Sequence, residues 1–125
     1  NFIKQHKGVF VTIDYGYKSP PKHLSLQTIY HHKKTHLFEN IGNQDITAHV
    51  NFDKLIFIAN KYNLNIDIFC SQKDFLISNG INERMQKLQK NNSEESIKNL
   101  NSAYDRLVDK IQMGELFKVL VVSCF

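Results

Sequence analysis

A chain of 125 residues holds one domain and one hydrophobic core. Its 42% apolar and 22% charged residues exclude a disordered tail, and no apolar run approaches the ~18 residues that a membrane-crossing helix needs. The net charge of +4 rests on sixteen scattered basic residues, all lysine except Arg84 and Arg106, which is the pattern of a solvated surface more than of a nucleic-acid site.

Asn1 to Gly8 has neither the apolar stretch nor the cleavage site of a secretory signal, and no starting Met. A chain that opens this close to a strand reads as a piece of something longer. Val9-Phe10-Val11-Thr12-Ile13, between Gly8 and Gly16, has the signature of a strand buried on both faces. It ends in Asp14-Tyr15-Gly16-Tyr17, and Ser19-Pro20-Pro21 then enforces an extended turn. Leu24 to Lys33 reads as a strand or hairpin arm, and 37–48 as loop with Gly42, Asn43 and Asp45 as turn formers. Asn51 is placed to cap a helix over 52–62, in which Phe52, Leu55, Ile56, Ala59 and Tyr62 share a face wide enough to pack on a sheet. Asn63 ends it. Leu64, Ile66, Ile68 and Cys70 then alternate with Asn65, Asp67 and Phe69, a strand pattern.

Ser71-x-x-Asp74 is a capping box for a short helix carrying Phe75 and Leu76, with Gly80 just beyond its end. A second short helix spans Glu83 to Gln89, with Met85 and Leu88 inward. After the polar break at 90–93, Asn92-x-x-Glu95 is a capping box for a helix bearing Ile97, Leu100, Tyr104, Leu107, Val108 and Ile111 at 3–4 spacing. Met113-Gly114 ends that helix, and Leu116 to Val122 is a strongly apolar strand. The succession of strand, insertion, helix, strand, helical insertion and strand specifies an α/β architecture. With three convincing strands, the first lacks the neighbours a buried strand requires, so the expected object is the back half of an open sheet.

The five glycines are nowhere closer than Gly8 and Gly16, so the chain has no GxGxxG, no P-loop and no nucleotide-cradling turn. Asp14, Tyr15 and Tyr17 stand at the carboxyl end of the first strand, where open α/β sheets place ligands. There Asp14 either orients or deprotonates a nucleophile or merely caps the turn, and the tyrosines either wall a pocket or pack. Residues 45–52 are either cap and loop or ligand-facing. His31, His32, His36 and His49 lack metal-ligand spacing, which favours surface or hydrogen-bonding roles. Cys70 and Cys124 suit a reducing compartment and no disulfide framework. The nearest nucleic-acid candidate is Lys18, Lys22, Lys33 and Lys34 with Tyr17 and Tyr30.

Several blocks, in order, resemble one family. Val11-Thr12-Ile13-Asp14-Tyr15-Gly16-Tyr17 resembles an "IDYGY" strand end, and Leu26-Gln27-Thr28-Ile29 followed by His32 resembles an "LQA…H" segment. Asp45-Ile46-Thr47-Ala48-His49-Val50-Asn51-Phe52 is similar to "DxTAHVDF", with Asn51 in place of an Asp. Gln72, Phe75-Leu76 and Gly80-Ile81 are similar to "Q…FL…LGI", and Met113 to Leu120 to "MGxLFKVL". Together they resemble the MidA-type S-adenosylmethionine-dependent methyltransferases, which include the mitochondrial complex I assembly methyltransferase.

The resemblance implies that residues 1–125 are the C-terminal part of a single Rossmann-like methyltransferase domain, without the upstream half that carries the main S-adenosylmethionine loop. The first strand would be the fifth of a seven-stranded sheet. Leu64 to Cys70 would be the sixth, and Leu116 to Val122 the antiparallel seventh, after a helical insertion. The implied acceptor is a protein arginine, the implied protein substrate a respiratory complex I subunit. Asp14 would be the catalytic carboxylate, and Tyr15, Tyr17, His32, Asp45, Thr47 and His49 the substrate-binding neighbours, with no metal. The chain alone would be inactive, its partner a separately encoded N-terminal half, its location the bacterial cytoplasm or a mitochondrion. A non-catalytic interaction module and a basic nucleic-acid binder are the competing readings.

Overall fold

The computed structural model describes residues 2–21, 24–90 and 92–125. In chain order, α1 (Phe2–His6) leads into β1 (Gly8–Tyr17), and a small lobe follows from β2 (Gln27–Tyr30), β3 (Lys33–Thr35) and β4 (Asp45–Thr47). β5 (Val50–Asn51) passes directly into α2 (Phe52–Lys61), and β6 (Asn65–Ser71) into α3 (Gln72–Ser78). α4 (Ile81–Gln89), α5 (Glu94–Val108) and the single turn α6 (Met113–Leu116) then precede β7 (Phe117–Cys124).

The main sheet runs β5-β1-β7-β6, and the lobe is a separate sheet, β3-β2-β4. β7 is antiparallel to both neighbours, pairing with β1 from Gly8↔Cys124 to Tyr15↔Phe117 and with β6 along its other edge. β5 pairs with β1 in parallel, and only at Gly16↔Val50 and Tyr17↔Asn51. The α/β class and the helical insertion before the last strand are as expected from the sequence.

The expected burial of β1 on both faces is not what the structure shows. Val9, Phe10, Val11 and Ile13 are about half exposed, and the strand buried throughout is β7, from Val119 to Ser123. The reason is topological: β7 has a long neighbour on each side, whereas the far edge of β1 has no strand partner from Gly8 to Tyr15 among the described residues. Phe52, Ala59, Leu120 and Val122 form the core on one sheet face, joined by Ile66 and Phe69 of β6.

Ile66 and Phe69 share that face because β6 is not regularly alternating. Its register against β7 slips between Ile66 and Ile68, a bulge at Asp67 that turns Phe69 to the core, 5.7 Å from the Phe52 ring. The alternation read from the sequence, which set Phe69 opposite Ile66, therefore holds only up to the bulge.

The helix caps form as their residue types require. The Asn51 side chain accepts from the Lys54 N–H at 3.0 Å and starts α2. Asn63, at φ 53°, closes that helix in a Schellman turn, with Asn63 N–H to Asn60 O at 2.9 Å and Leu64 N–H to Ala59 O at 3.0 Å. Ser71 caps α3, accepting from the Asp74 N–H at 3.1 Å.

Five other expectations shift. α5 is capped by Ser93 and not by Asn92, whose amide is spent on the Leu88 carbonyl at the end of α4. α4 starts two residues before Glu83, at Ile81, because Gly80 at φ 84° supplies the bend between helices. α5 ends at Val108: Asp109 is extended and its carboxylate accepts from the Ile111 N–H at 2.7 Å, leaving Ile111 exposed beyond the helix. Residues 45–47, read as loop, form β4 against β2. His31 and His32 are not strand residues either; they are the two corners of the β2–β3 hairpin, with φ of 46° and 62°.

Candidate functional site

The carboxyl end of β1 carries Asp14 and Tyr15, whose side chains leave the strand on opposite faces, and His49 joins the Tyr15 ring. Asp14 lies opposite Lys118 of β7, and its Oδ1 accepts from the Tyr15 N–H at 2.8 Å. The Lys118 ammonium donates to the Glu115 carbonyl. The Tyr15 ring meets its cross-strand partner Phe117 edge-on, with centroids 5.8 Å apart, and meets His49 edge-on at 5.6 Å. Such edge contacts fix ring orientation, because the positive rim of one ring faces the negative face of the other. His49 reaches this position because β5 pairs with the last two residues of β1, which draws the segment before it alongside the strand end. Its backbone N–H donates to Ser25 Oγ at 3.2 Å.

Tyr17 sits opposite Asn51 at the end of the ladder, adjacent to this cluster. Thr47 lies on β4 opposite Gln27, and its hydroxyl is buried with no hydrogen-bond partner among the described residues. Asp45, opposite Ile29, and His32, at the hairpin corner, are exposed on the small lobe. Among the described residues they share no hydrogen bond or ring contact with Asp14, Tyr15 or His49.

His49 also lines a cavity of about 590 Å³ together with Ser25, Thr28, Lys34, Thr35 and His36. No acidic residue lines it. Ser25 and Phe117 carried no local signal in the sequence, and Lys34 and His36 only signals for other roles, since strand pairing and lobe packing alone bring them here. Of the nucleic-acid candidates, Lys18 holds its ammonium 5.7 Å from the Phe69 ring, Lys33 and Lys34 lie on β3, and Lys22 is outside the described residues. Tyr30 packs on His31 at 4.2 Å. Among the described residues no three His, Cys, Asp or Glu side chains converge as a metal site would need. No helix in them is long and apolar enough to cross a membrane.

Residues 1–70 match the family model described as "Putative S-adenosyl-L-methionine-dependent methyltransferase", which is more than half of the chain. The chain belongs to that family. Its fold is similar to an uncharacterized protein of the COG1565 superfamily from Burkholderia thailandensis, at 27% identity and a TM-score of 0.82 over 95% of this chain. It is also similar to a COG1565 superfamily member from the same organism bound to S-adenosyl-homocysteine, at 26% identity and a TM-score of 0.80 over 94% of this chain. The match covers 33% and 32% of those chains, so this chain spans about a third of their length. S-adenosylmethionine, the cofactor expected from the sequence, is the one the family's description carries, and the bound relative holds its demethylated form.

The described residues do not fit the cofactor by themselves. The two junctions where a strand passes into a helix, Asn51 to Phe52 and Ser71 to Gln72, contain no glycine. Gly16, the one glycine at the strand end, has no room for a ligand. A Cβ there would fall 2.7 Å from the Phe52 ring and against the Val50 carbonyl. A nucleotide cradle needs open backbone N–H groups at such a junction.

Proposed function

We propose that this chain forms the acceptor side of an S-adenosylmethionine-dependent protein arginine methyltransferase whose donor-holding residues lie outside it. The observation that carries the reading is the carboxyl end of β1, where Asp14 leaves one face of the strand and the Tyr15–His49 ring pair the other, in a fold shared with part of a relative bound to S-adenosyl-homocysteine. One Asp14 oxygen is fixed by the Tyr15 N–H, which leaves Oδ2 to hold a guanidinium in a charge-assisted hydrogen bond. Holding the acceptor nitrogen in one orientation supplies much of the catalysis in a displacement reaction. The same carboxylate receives the acceptor's proton, and Tyr15, Tyr17 and His49, on the other face of the strand end, bind the flanking acceptor peptide. The Thr47 hydroxyl, buried in the lobe, meets an acceptor backbone only when the lobe opens around it. Asp45 and His32 then bind substrate from the lobe, further from the reacting nitrogen.

The resemblance to the MidA-type family supports a respiratory complex I subunit as the acceptor, in the bacterial cytoplasm or a mitochondrion. The open edge of β1 supports a partner that completes the sheet, namely the upstream half of the domain supplied as a separate chain.

The test is titration of S-adenosylmethionine into this chain alone and into its mixture with the unmatched two-thirds of the S-adenosyl-homocysteine-bound relative. The chain alone gives no saturable heat, and the mixture binds and methylates an arginine peptide. Asp14→Asn then abolishes transfer and preserves cofactor binding. Cofactor binding and arginine methylation by the isolated chain would overturn the reading. A non-catalytic interaction module is the second reading, favoured by the same half-exposed Val9, Phe10, Val11 and Ile13. Sheet completion in the mixture without cofactor binding would establish it.

A further inference from the structure

A second cavity, of about 410 Å³, lies inside the helical insertion, away from the β1 end. Its apolar walls come from three helices: Leu76 of α3, Met85 and Leu88 of α4, and Leu100 and Leu107 of α5. The spacing explains the convergence. Leu100 and Leu107 are two turns apart on one face of α5, and Arg84 and Leu88 lie one turn apart on α4. Cavities of this volume, mostly apolar with a few placed polar groups, are the usual form of small-ligand sites.

The polar groups decide the class of ligand. Two of the three polar side chains lining the cavity are already satisfied: the Asn79 amide donates to the Phe75 carbonyl at 2.7 Å, and the Tyr104 hydroxyl to Asn82 Oδ1 at 2.7 Å. The third is Arg84, exposed, and the one charged side chain lining the cavity among the described residues. An apolar recess, open to solvent on one side and with a single guanidinium at its edge, selects a molecule with a long apolar body and one anionic end.

We propose that this cavity binds a small aliphatic carboxylate of the medium-chain fatty-acid type, its chain among the apolar side chains and its carboxylate on Arg84. The site is independent of the methyltransferase reading, since none of Asp14, Tyr15 and His49 lines it.

The experiment titrates decanoate and, separately, decanol into the full chain, following heat and the methyl resonances of Leu76 and Leu107. Decanoate binds saturably, shifts those methyls, and binds about tenfold tighter than decanol, the effect of one charge-assisted contact. Arg84→Gln lowers decanoate to the affinity of decanol and leaves decanol unchanged, which also reports that the variant is folded. Decanoate binding that is insensitive to Arg84→Gln, or no saturable binding of either probe, overturns the proposal.

Discussion

The imidazole of His49 stands edge-on to the ring of Tyr15, with the two planes at 77°. Tyr15 is held from its other side by Phe117, its direct cross-strand partner. One ring therefore couples the end of β1, the start of β7 and the segment entering β5. Tyr15→Phe keeps both contacts and leaves stability unchanged. Tyr15→Leu loses both and costs about 1–2 kcal/mol, read by thermal or urea unfolding. An equal loss in the two variants would assign the effect to the hydroxyl.

Gly16 is required by packing. Any side chain there meets the Phe52 ring and the Val50 carbonyl, and Phe52 is fully buried in the core and has nowhere to retreat. Gly16→Ala therefore parts β5 from β1 and lowers stability by about 2–3 kcal/mol. Weakened protection of the β1 and β5 amides in hydrogen exchange is the accompanying signature. Wild-type stability in this variant would show that β5 pairing contributes little.

The hairpin corner at His31 and His32 holds two side chains in the left-handed region that Asn and Gly occupy at least cost. The double replacement His31→Asn with His32→Gly stabilises the β2–β3 hairpin by about 1 kcal/mol, seen as slower exchange of its amides. If His32 binds substrate from the lobe, the same variant loses methyl transfer in the two-part mixture while gaining stability. Strain retained for a binding role gives that opposite pair of outcomes.

Burial, and then the Asp74 carboxylate, push the Cys70 thiol above its ordinary value, although the Phe75 backbone hydrogen bond pulls the other way. Both raising effects disfavour the thiolate, the form that reacts with iodoacetamide. Alkylation of Cys70 is therefore slow at mildly alkaline pH, and Asp74→Asn, which removes one negative charge, speeds it. Mass spectrometry of the Cys70 peptide over time measures both rates, and an unchanged rate would mean that burial alone controls this thiol.

The caps of α2 and α3 were legible because they are settled within three residues: Asn51 and Ser71 need only the N–H groups of Lys54 and Asp74. The cap of α5 was not, because Asn92 and Ser93 both suit the position and the Leu88 carbonyl, in another helix, takes the first. The burial of β1 was misjudged for a similar reason. Composition marks β1 and β7 alike as apolar strands, and only pairing at long range decides which is central. A bulge at Asp67 and a hairpin turned by two histidines leave no residue signal. At the site, Asp14 and Tyr15 were readable from the strand end, whereas the contact of His49 with Tyr15 depends on the short β5 ladder.

The placement of β7 between β1 and β6 has a kinetic corollary. The central strand is the latest of the three along the chain, separated from β6 by the whole helical insertion. During synthesis the two flanking strands emerge without the element that joins them, and α2 has half a floor to lie on. Nothing in the main sheet can lock until Phe117 to Cys124 is threaded into the gap, so assembly is set by a late, long-range insertion. A ribosome stalled before that segment would hold a chain with its helices and small lobe formed and β1 and β6 still unjoined, the state that most needs a chaperone.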